Sequence, residues 1–248
     1  LRLKLVTSNH RAAAETVAAN YRSLQQEVAD ACRLANRSHD EVKIIGVSKY
    51  VDAATTRLLV DAGCVNLGES RPQTLAAKAD DPAFCDQPVT WHQIGHLQRN
   101  KVDMVVVRGA LIHSVDSQRV LAAIAASAQK QCCVCRVLVE VNCSGEEAKT
   151  GIAPHELPDM LDAASQLDSV RVEGLMTMAA REGDARVARD NFAALRILLE
   201  TARTTHRQLP LRELSMGMSG DFAEAIAEGA TMIRVGSRLW HGLAGHQQ

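Results

Sequence analysis

Lys43-Ile44-Ile45-Gly46-Val47-Ser48-Lys49 is followed by the segment Ala53 to Ala62 and then by Cys64-Val65-Asn66-Leu67-Gly68, and the order of these three pieces decides the fold. The first is a short apolar run with β-branched residues, which predicts a buried strand. The second carries apolar residues at helical spacing, and the third starts a strand again. A helix between two short strands carries the chain back to where the first strand began, so the two strands pair in parallel. The alternation recurs to the end of the chain. Further strands are predicted at Val89 to Ile94, Ala110 to Val115, Val134 to Val141, Val170 to Met176, Leu211 to Met216 and Met232 to Val235. Further helices are predicted at Pro72 to Ala79, Gln118 to Lys130, Pro154 to Leu167, Asp184 to His206 and Asp221 to Glu228. Eight such units in about 200 residues predict an α/β fold, a closed single-domain (β/α)8 TIM barrel, with an open doubly wound sheet as the alternative.

An amphipathic stretch at about 12–37 predicts an extra N-terminal helix ahead of a barrel at about 42–243. No Pro/Gly/Ser-rich linker breaks the chain, so residues 1–248 read as one domain.

The composition narrows the function. The chain has 248 residues, 46% hydrophobic and 23% charged. A domain of that size buries a full core without a disulfide framework or a structural metal. Lys plus Arg number 28 against 29 Asp plus Glu, a net charge of −1, which gives no cationic surplus for nucleic acid. Aromatic residues make up 3%, too few for base-stacking platforms. No stretch approaches the roughly 20 apolar residues of a membrane span, and Leu1 to Tyr21 lacks the apolar core of a signal peptide, so a soluble cytoplasmic protein is expected. The seven cysteines are odd in number and lack paired CxxC spacing, which favours incidental or buried thiols over disulfides or zinc. His92 and His96 straddle a strand end and a loop instead of sharing a helix face, so no metal is assigned, and His96 to Lys101 reads equally well as a polar loop. The chain has no GxGxxG, GxxxxGK[ST] or GxSxG pattern.

A parallel barrel presents its chemistry where the strands end and the βα loops converge. Alternation puts Ile45, Val47 and Lys49 on one face of the first strand, and if that face looks inward the amine sits at the barrel mouth. Partial desolvation there would lower its pKa and suit it to imine formation; a solvated strand-end lysine is the alternative. The segment Leu214-Ser215-Met216-Gly217-Met218-Ser219-Gly220-Asp221 joins the seventh strand to a helix, and Arg234-Val235-Gly236-Ser237 ends the eighth. Loops after strands seven and eight commonly bind phosphate in such barrels, though both segments also read as plain turn and cap residues. Arg234 lies in an apolar strand and needs an acceptor, either a ligand or a structural carboxylate.

The motifs Ile45-Gly46-Val47-Ser48-Lys49, Leu67-Gly68-Glu69, Trp91 to Lys101, Ile112 to Ser117, Val139-Glu140-Val141-Asn142, Ser144-Gly145-Glu146, Gly174 to Met178, Leu214 to Ser219 and Arg234-Val235-Gly236 cover nearly the whole chain. Together they resemble the pyridoxal phosphate homeostasis proteins, the YggS/PROSC family of single-domain pyridoxal 5′-phosphate (PLP) binders. The resemblance implies a barrel like the N-terminal domain of alanine racemase, with Lys49 carrying PLP as a Schiff base. It implies that Met218, Ser219, Gly236 and Ser237 hold the phosphate and that Arg234 faces the pyridine nitrogen. Ser70 stands where the family usually has Asn, Tyr50-Val51-Asp52 replaces a segment often containing a second Lys and Pro, Ser237 replaces a common Thr, and Lys149 matches a family lysine to which no role is given.

An arginine at the ring nitrogen cannot act as the carboxylate that keeps that nitrogen protonated, so the ring is a weaker electron sink. A racemase also needs an acid/base on the opposite ring face. In alanine racemase that group is a tyrosine supported by a second domain, whereas the tyrosines here are Tyr21 and Tyr50. The expected function is therefore intracellular PLP homeostasis, buffering or delivering the cofactor to apo PLP-dependent enzymes without robust amino acid turnover and with no catalytic residue assigned. The expected state is a monomer. The alternatives are a small PLP-dependent racemase or lyase, and a Schiff-base sugar-phosphate aldolase acting through Lys49.

Overall fold

Side chains of β1 (Lys43–Val47) alternate between two surroundings, and that alternation lays down the architecture. Ile45 is buried with Leu111, Leu138, Met176 and Met232 in a cluster separate from the main core. Gly46 faces the other way, where a Cβ would come within 2.5 Å of Leu59 and 3.1 Å of Cys64. The first set fills the inside of a barrel, and the second meets the surrounding helices.

The computed structural model describes residues 2–146, 149–180 and 183–243. After β1 come β2 (Asn66–Glu69), β3 (Thr90–Gln93), β4 (Leu111–Val115), β5 (Cys135–Glu140), β6 (Val170–Met176), β7 (Glu213–Ser215) and β8 (Met232–Val235). They form a closed barrel in sequence order, with β8 pairing back onto β1 in parallel. The predicted (β/α)8 barrel is the fold, and the open sheet is excluded by that closing pair.

The helices are α1 (Arg2–Leu34), α2 (Ala53–Asp61), α3 (Pro72–Ala79), α4 (Val102–Val106), α5 (Gln118–Lys130), α6 (Leu157–Ser165), α7 (Ala185–Thr205) and α8 (Phe222–Ala227). Two of them depart from expectation. Helix α4, five residues long behind a 3-10 turn at Arg99–Lys101, is too short to show a helical period and reads as loop in the sequence. Helix α1 begins well before position 12 and is part of the helical ring. Among the described residues no α-helix follows β8, and α1 packs against both α2 and α8, taking the vacant eighth place. Its buried stripe is Val17, Tyr21, Leu24, Val28 and Cys32. Asn20 Nδ2 donates to the carbonyls of Leu239 (3.1 Å) and His241 (2.9 Å), fastening α1 to the chain beyond β8.

The barrel interior is layered. At the N-terminal ends of the strands lie the ion pairs Lys43–Glu213 (2.7 Å) and Arg136–Glu173 (3.9 Å). The apolar cluster of Ile45 and its partners fills the middle. Arg234, Ser215 and Glu140 lie toward the C-terminal ends, all buried.

Candidate functional site

Strand β1 stops at Val47, and the two residues before Lys49 are held on several sides. Trp240 Nε1 donates to the Val47 carbonyl at 2.9 Å. Lys78 Nζ, from α3, donates to the Ser48 carbonyl at 2.8 Å and to Glu69 Oε1 at 2.5 Å, while Ser48 Oγ donates to the same carboxylate oxygen at 2.6 Å. All three side chains are buried. Burial pushes the Lys78 ammonium below its usual range, and the Glu69 carboxylate opposes that fall. Lys49 itself is exposed in the turn that follows, its ammonium 4.8 Å from the centre of the Tyr50 ring. The alternation that suggested a partly desolvated amine ends with the strand, so the side chain stands at the rim instead of inside.

The loops after β7 and β8 meet each other and the end of β1. Ser237 Oγ donates to Ser219 Oγ at 3.1 Å, and the Arg234 amide donates to the Gly217 carbonyl at 3.0 Å. Gly217 has φ 91°, and a Cβ there would lie 2.6 Å from that of Ala225, so the turn demands glycine on both counts. A Cβ on Gly236 would sit 3.3 Å from Val47 Cβ and 3.4 Å from its carbonyl oxygen, which places this loop against the strand end two residues before Lys49. The Met218 amide donates to Asp221 Oδ1 at 2.5 Å and is thus engaged within its own loop. Asp221 precedes α8, as expected of a cap, but its carboxylate makes no capping bond to that helix.

Arg234 is buried at the mouth. Its Nη1 donates to Ser215 Oγ at 2.6 Å and its Nη2 to the Thr177 carbonyl at 3.0 Å. Among the described residues no carboxylate pairs with it, so the structural salt bridge is not formed. Burial pulls the guanidinium down to about 10, against the more distant pull of Glu140 and Asp221.

Sequence reasoning missed Glu140, the last residue of β5. Two positions beyond inward-facing Leu138, it is buried, and it accepts from the Thr150 hydroxyl. Burial, reinforced by Asp116, raises its pKa, while Thr150, Arg234 and His96 work the other way. Asp116 in turn holds His96 Nδ1 at 3.0 Å. The alternation of β5 carried the signal, since it points a carboxylate inward at a strand end.

Lys149 pairs with Glu146 at 3.1 Å and donates to the Ala179 carbonyl, and the Ser70 carbonyl accepts from Gln93 Nε2 at 3.0 Å. Lys149 is thus engaged between the loops after β5 and β6, and the Ser70 carbonyl by the last residue of β3. A cleft of about 660 Å³ beside the mouth is lined by residues including His96, Arg99, Asp116 and Arg119. It includes none of Lys49, Ser219, Arg234 or Ser237, so the candidate site is set by convergent chemistry and not by volume.

The family pattern described as "Alanine racemase, N-terminal domain" matches residues 14–243. The pyridoxal phosphate homeostasis protein of Aquifex aeolicus is 36% identical over 215 residues, 87% of this chain and 93% of that relative. The chain belongs to the pyridoxal phosphate homeostasis protein family. The family's Pseudomonas aeruginosa protein is 34% identical over 225 residues, 91% of this chain and 95% of its own. Among solved structures, PipY of Synechococcus elongatus with PLP bound superposes with a TM-score of 0.76 at 33% identity, covering 86% of this chain and 99% of that one. The family pattern over residues 14–243 thus takes in the barrel and most of α1.

Proposed function

We propose that the protein binds pyridoxal 5′-phosphate and serves its homeostasis in the cell, holding the cofactor on Lys49 and buffering or delivering it without robust amino acid turnover. The observation that carries this reading is the state of Arg234. A buried guanidinium whose hydrogen-bond partners are all neutral is costly unless an acceptor meets its remaining N–H groups, and a pyridine nitrogen is such an acceptor.

The neighbouring groups fit the rest of the molecule. The Ser219 and Ser237 hydroxyls, already within bonding distance of each other, can both turn to a phosphate, and Gly236 leaves its backbone open to close approach. Met218 contributes its amide when Asp221 releases it. Lys49, at the rim, is reachable from solution, as capture and release of a cofactor require. When bound, the cofactor supplies an electrophilic aldehyde on an electron-withdrawing ring. Arg234 keeps its protons at neutral pH, so it would give a ring nitrogen a hydrogen bond but no full proton, which would weaken the ring's capacity to stabilise amino acid carbanions.

One observation favours a second reading, a small racemase or lyase. Glu140 is a buried carboxyl group at the mouth with a raised pKa, the kind of acid/base that the two tyrosines do not supply. Reconstitution with PLP followed by parallel assays decides between them. A carrier transfers cofactor to an apo-enzyme and leaves free amino acids unchanged, and Lys49→Ala loses the transfer. Sustained racemisation or cleavage that is lost in Glu140→Gln would establish the second reading instead. We further propose that the protein acts as a monomer in the cytoplasm with apo-enzymes as its clients, and sedimentation of the reconstituted protein tests the first of these. Among the described residues no helix is long and apolar enough to cross a membrane.

A further inference from the structure

Five polar side chains cross the barrel interior in single file. Arg234 Nη1 donates to Ser215 Oγ at 2.6 Å, and Ser215 Oγ lies 2.8 Å from His113 Nδ1. His113 Nε2 lies 2.9 Å from His92 Nδ1, and His92 Nε2 lies 3.2 Å from Asn66 Oδ1. The file starts at the mouth and ends on the first residue of β2, toward the opposite end of the barrel. Only Asn66 is partly exposed.

With both imidazoles neutral, the two ends of the file together leave one arrangement of protons: the Asn66 amide oxygen can only accept from His92 Nε2, and Arg234 can only donate to Ser215 Oγ. A guanidinium donates and never accepts, so Ser215 Oγ accepts from Arg234 and has one hydrogen to give, which His113 Nδ1 is placed to receive. A neutral imidazole that accepts at Nδ1 carries its proton at Nε2, and that proton points at His92 Nδ1. The same rule puts the His92 proton on Nε2, facing the Asn66 carbonyl oxygen. The cations nearest His92, Arg136 and Lys43, are each paired with a carboxylate, Glu173 and Glu213. Arg136 and Lys43 act on His92, and Arg234 and His92 itself act on His113; with burial as the larger cause they hold His92 down to about 3 and His113 well below its ordinary value.

We propose that Ser215, His113, His92 and Asn66 are positioning residues for Arg234, a one-directional hydrogen-bond relay with both imidazoles neutral and protonated at Nε2. The relay gives Arg234 no basic group to which it could pass a proton inward, so the guanidinium stays aimed and fully a donor toward the mouth. The functional half of the inference rests on the PLP reading above, and the tautomer half does not.

Two measurements on the full chain test it. Nitrogen-detected NMR of the imidazoles, without cofactor, should show His92 and His113 as neutral Nε2–H tautomers that do not titrate between about pH 5.5 and about pH 8. An Nδ1–H tautomer at either residue, or titration in that range, overturns the relay. The second measurement compares His113→Gln, whose single amide can accept from Ser215 and donate to His92, with His113→Leu, which keeps bulk and removes both bonds. The relay requires the leucine variant to bind PLP about tenfold more weakly with a shifted cofactor absorption band, and the glutamine variant to stay within about twofold of wild type with the native band. Equal behaviour of the two variants, normal or impaired, overturns it. Should the leucine variant fail to fold, Ser215→Ala removes the link next to Arg234 and must shift the band, and an unshifted band contradicts the relay. Wild-type protein that takes up no PLP would sink the proposed function and leave the tautomers to decide the relay.

Discussion

Lys78 reaches beneath the turn that presents Lys49 and holds it through the Ser48 carbonyl and the Glu69 carboxylate. Both members of this pair are buried, so removing one strands the other. Lys78→Met should cost about 3–5 kcal/mol in urea denaturation, and Glu69→Leu added to it should recover much of the loss, because the penalty is an unpaired buried charge and not a lost contact. A loss below about 1 kcal/mol would mean that the pair is solvated. The histidines give a pH dependence whose sign is fixed. His92 sits at about 3 when folded against 6.5 as its ordinary value, so between those values the unfolded chain binds more protons. Its contribution is complete above pH 6.5 and declines as pH falls toward 3, by up to about 1.4 kcal/mol per pH unit. His92→Gln should flatten that slope in urea midpoints measured across the window, and an unchanged slope would place the acid sensitivity elsewhere. Lys49 and Arg234 could be named as candidates from the sequence because each is a lone cation at or near the end of an apolar strand. Lys78, Glu140 and His113 could not: their roles depend on which strand face looks inward and on partners far away in sequence, such as Ser215 for His113.

At the scale of elements, the junction of the β7 and β8 loops depends on one backbone conformation. Gly217 combines φ 91° with no room for a Cβ beside Ala225, and its carbonyl receives the Arg234 amide. Gly217→Ala should therefore lower stability by roughly 1–3 kcal/mol in denaturant titration and weaken phosphate-dependent PLP binding more than binding of pyridoxal, which lacks the phosphate. Equal weakening of both would separate this loop from the phosphate. The repeating strand-helix rhythm was readable because each strand is a short apolar run and most helices are long enough to show their period. Helix α4 was too short for that. The place of α1 was hidden for a different reason: its stripe from Val17 to Cys32 announces a buried helix, but only barrel closure shows that the ring lacks a helix after β8 and that α1 fills it.

For the whole molecule, closure of the barrel is what gathers the candidate site out of separate segments. The candidates Lys49, Ser219, Arg234 and Ser237 come from β1, β7 and β8 and their loops, and the pairing of β8 onto β1 brings the loop at Gly236 against Val47, two residues before Lys49. The family relationship was readable from the motifs, and the barrel from the alternation. The arrangement of Asp221 on the Met218 amide and the exposure of Lys49 belong to loops, whose conformation no periodicity encodes. We propose that this closed ring holds PLP covalently through the amine at its rim. Borohydride reduction of the PLP-reconstituted protein, followed by peptide mapping, tests it most directly. The expected outcome is loss of the visible absorption band and a single pyridoxyl adduct on Lys49, absent from Lys49→Ala. An adduct on Lys78, Lys149 or another lysine, with Lys49 unmodified, would contradict it.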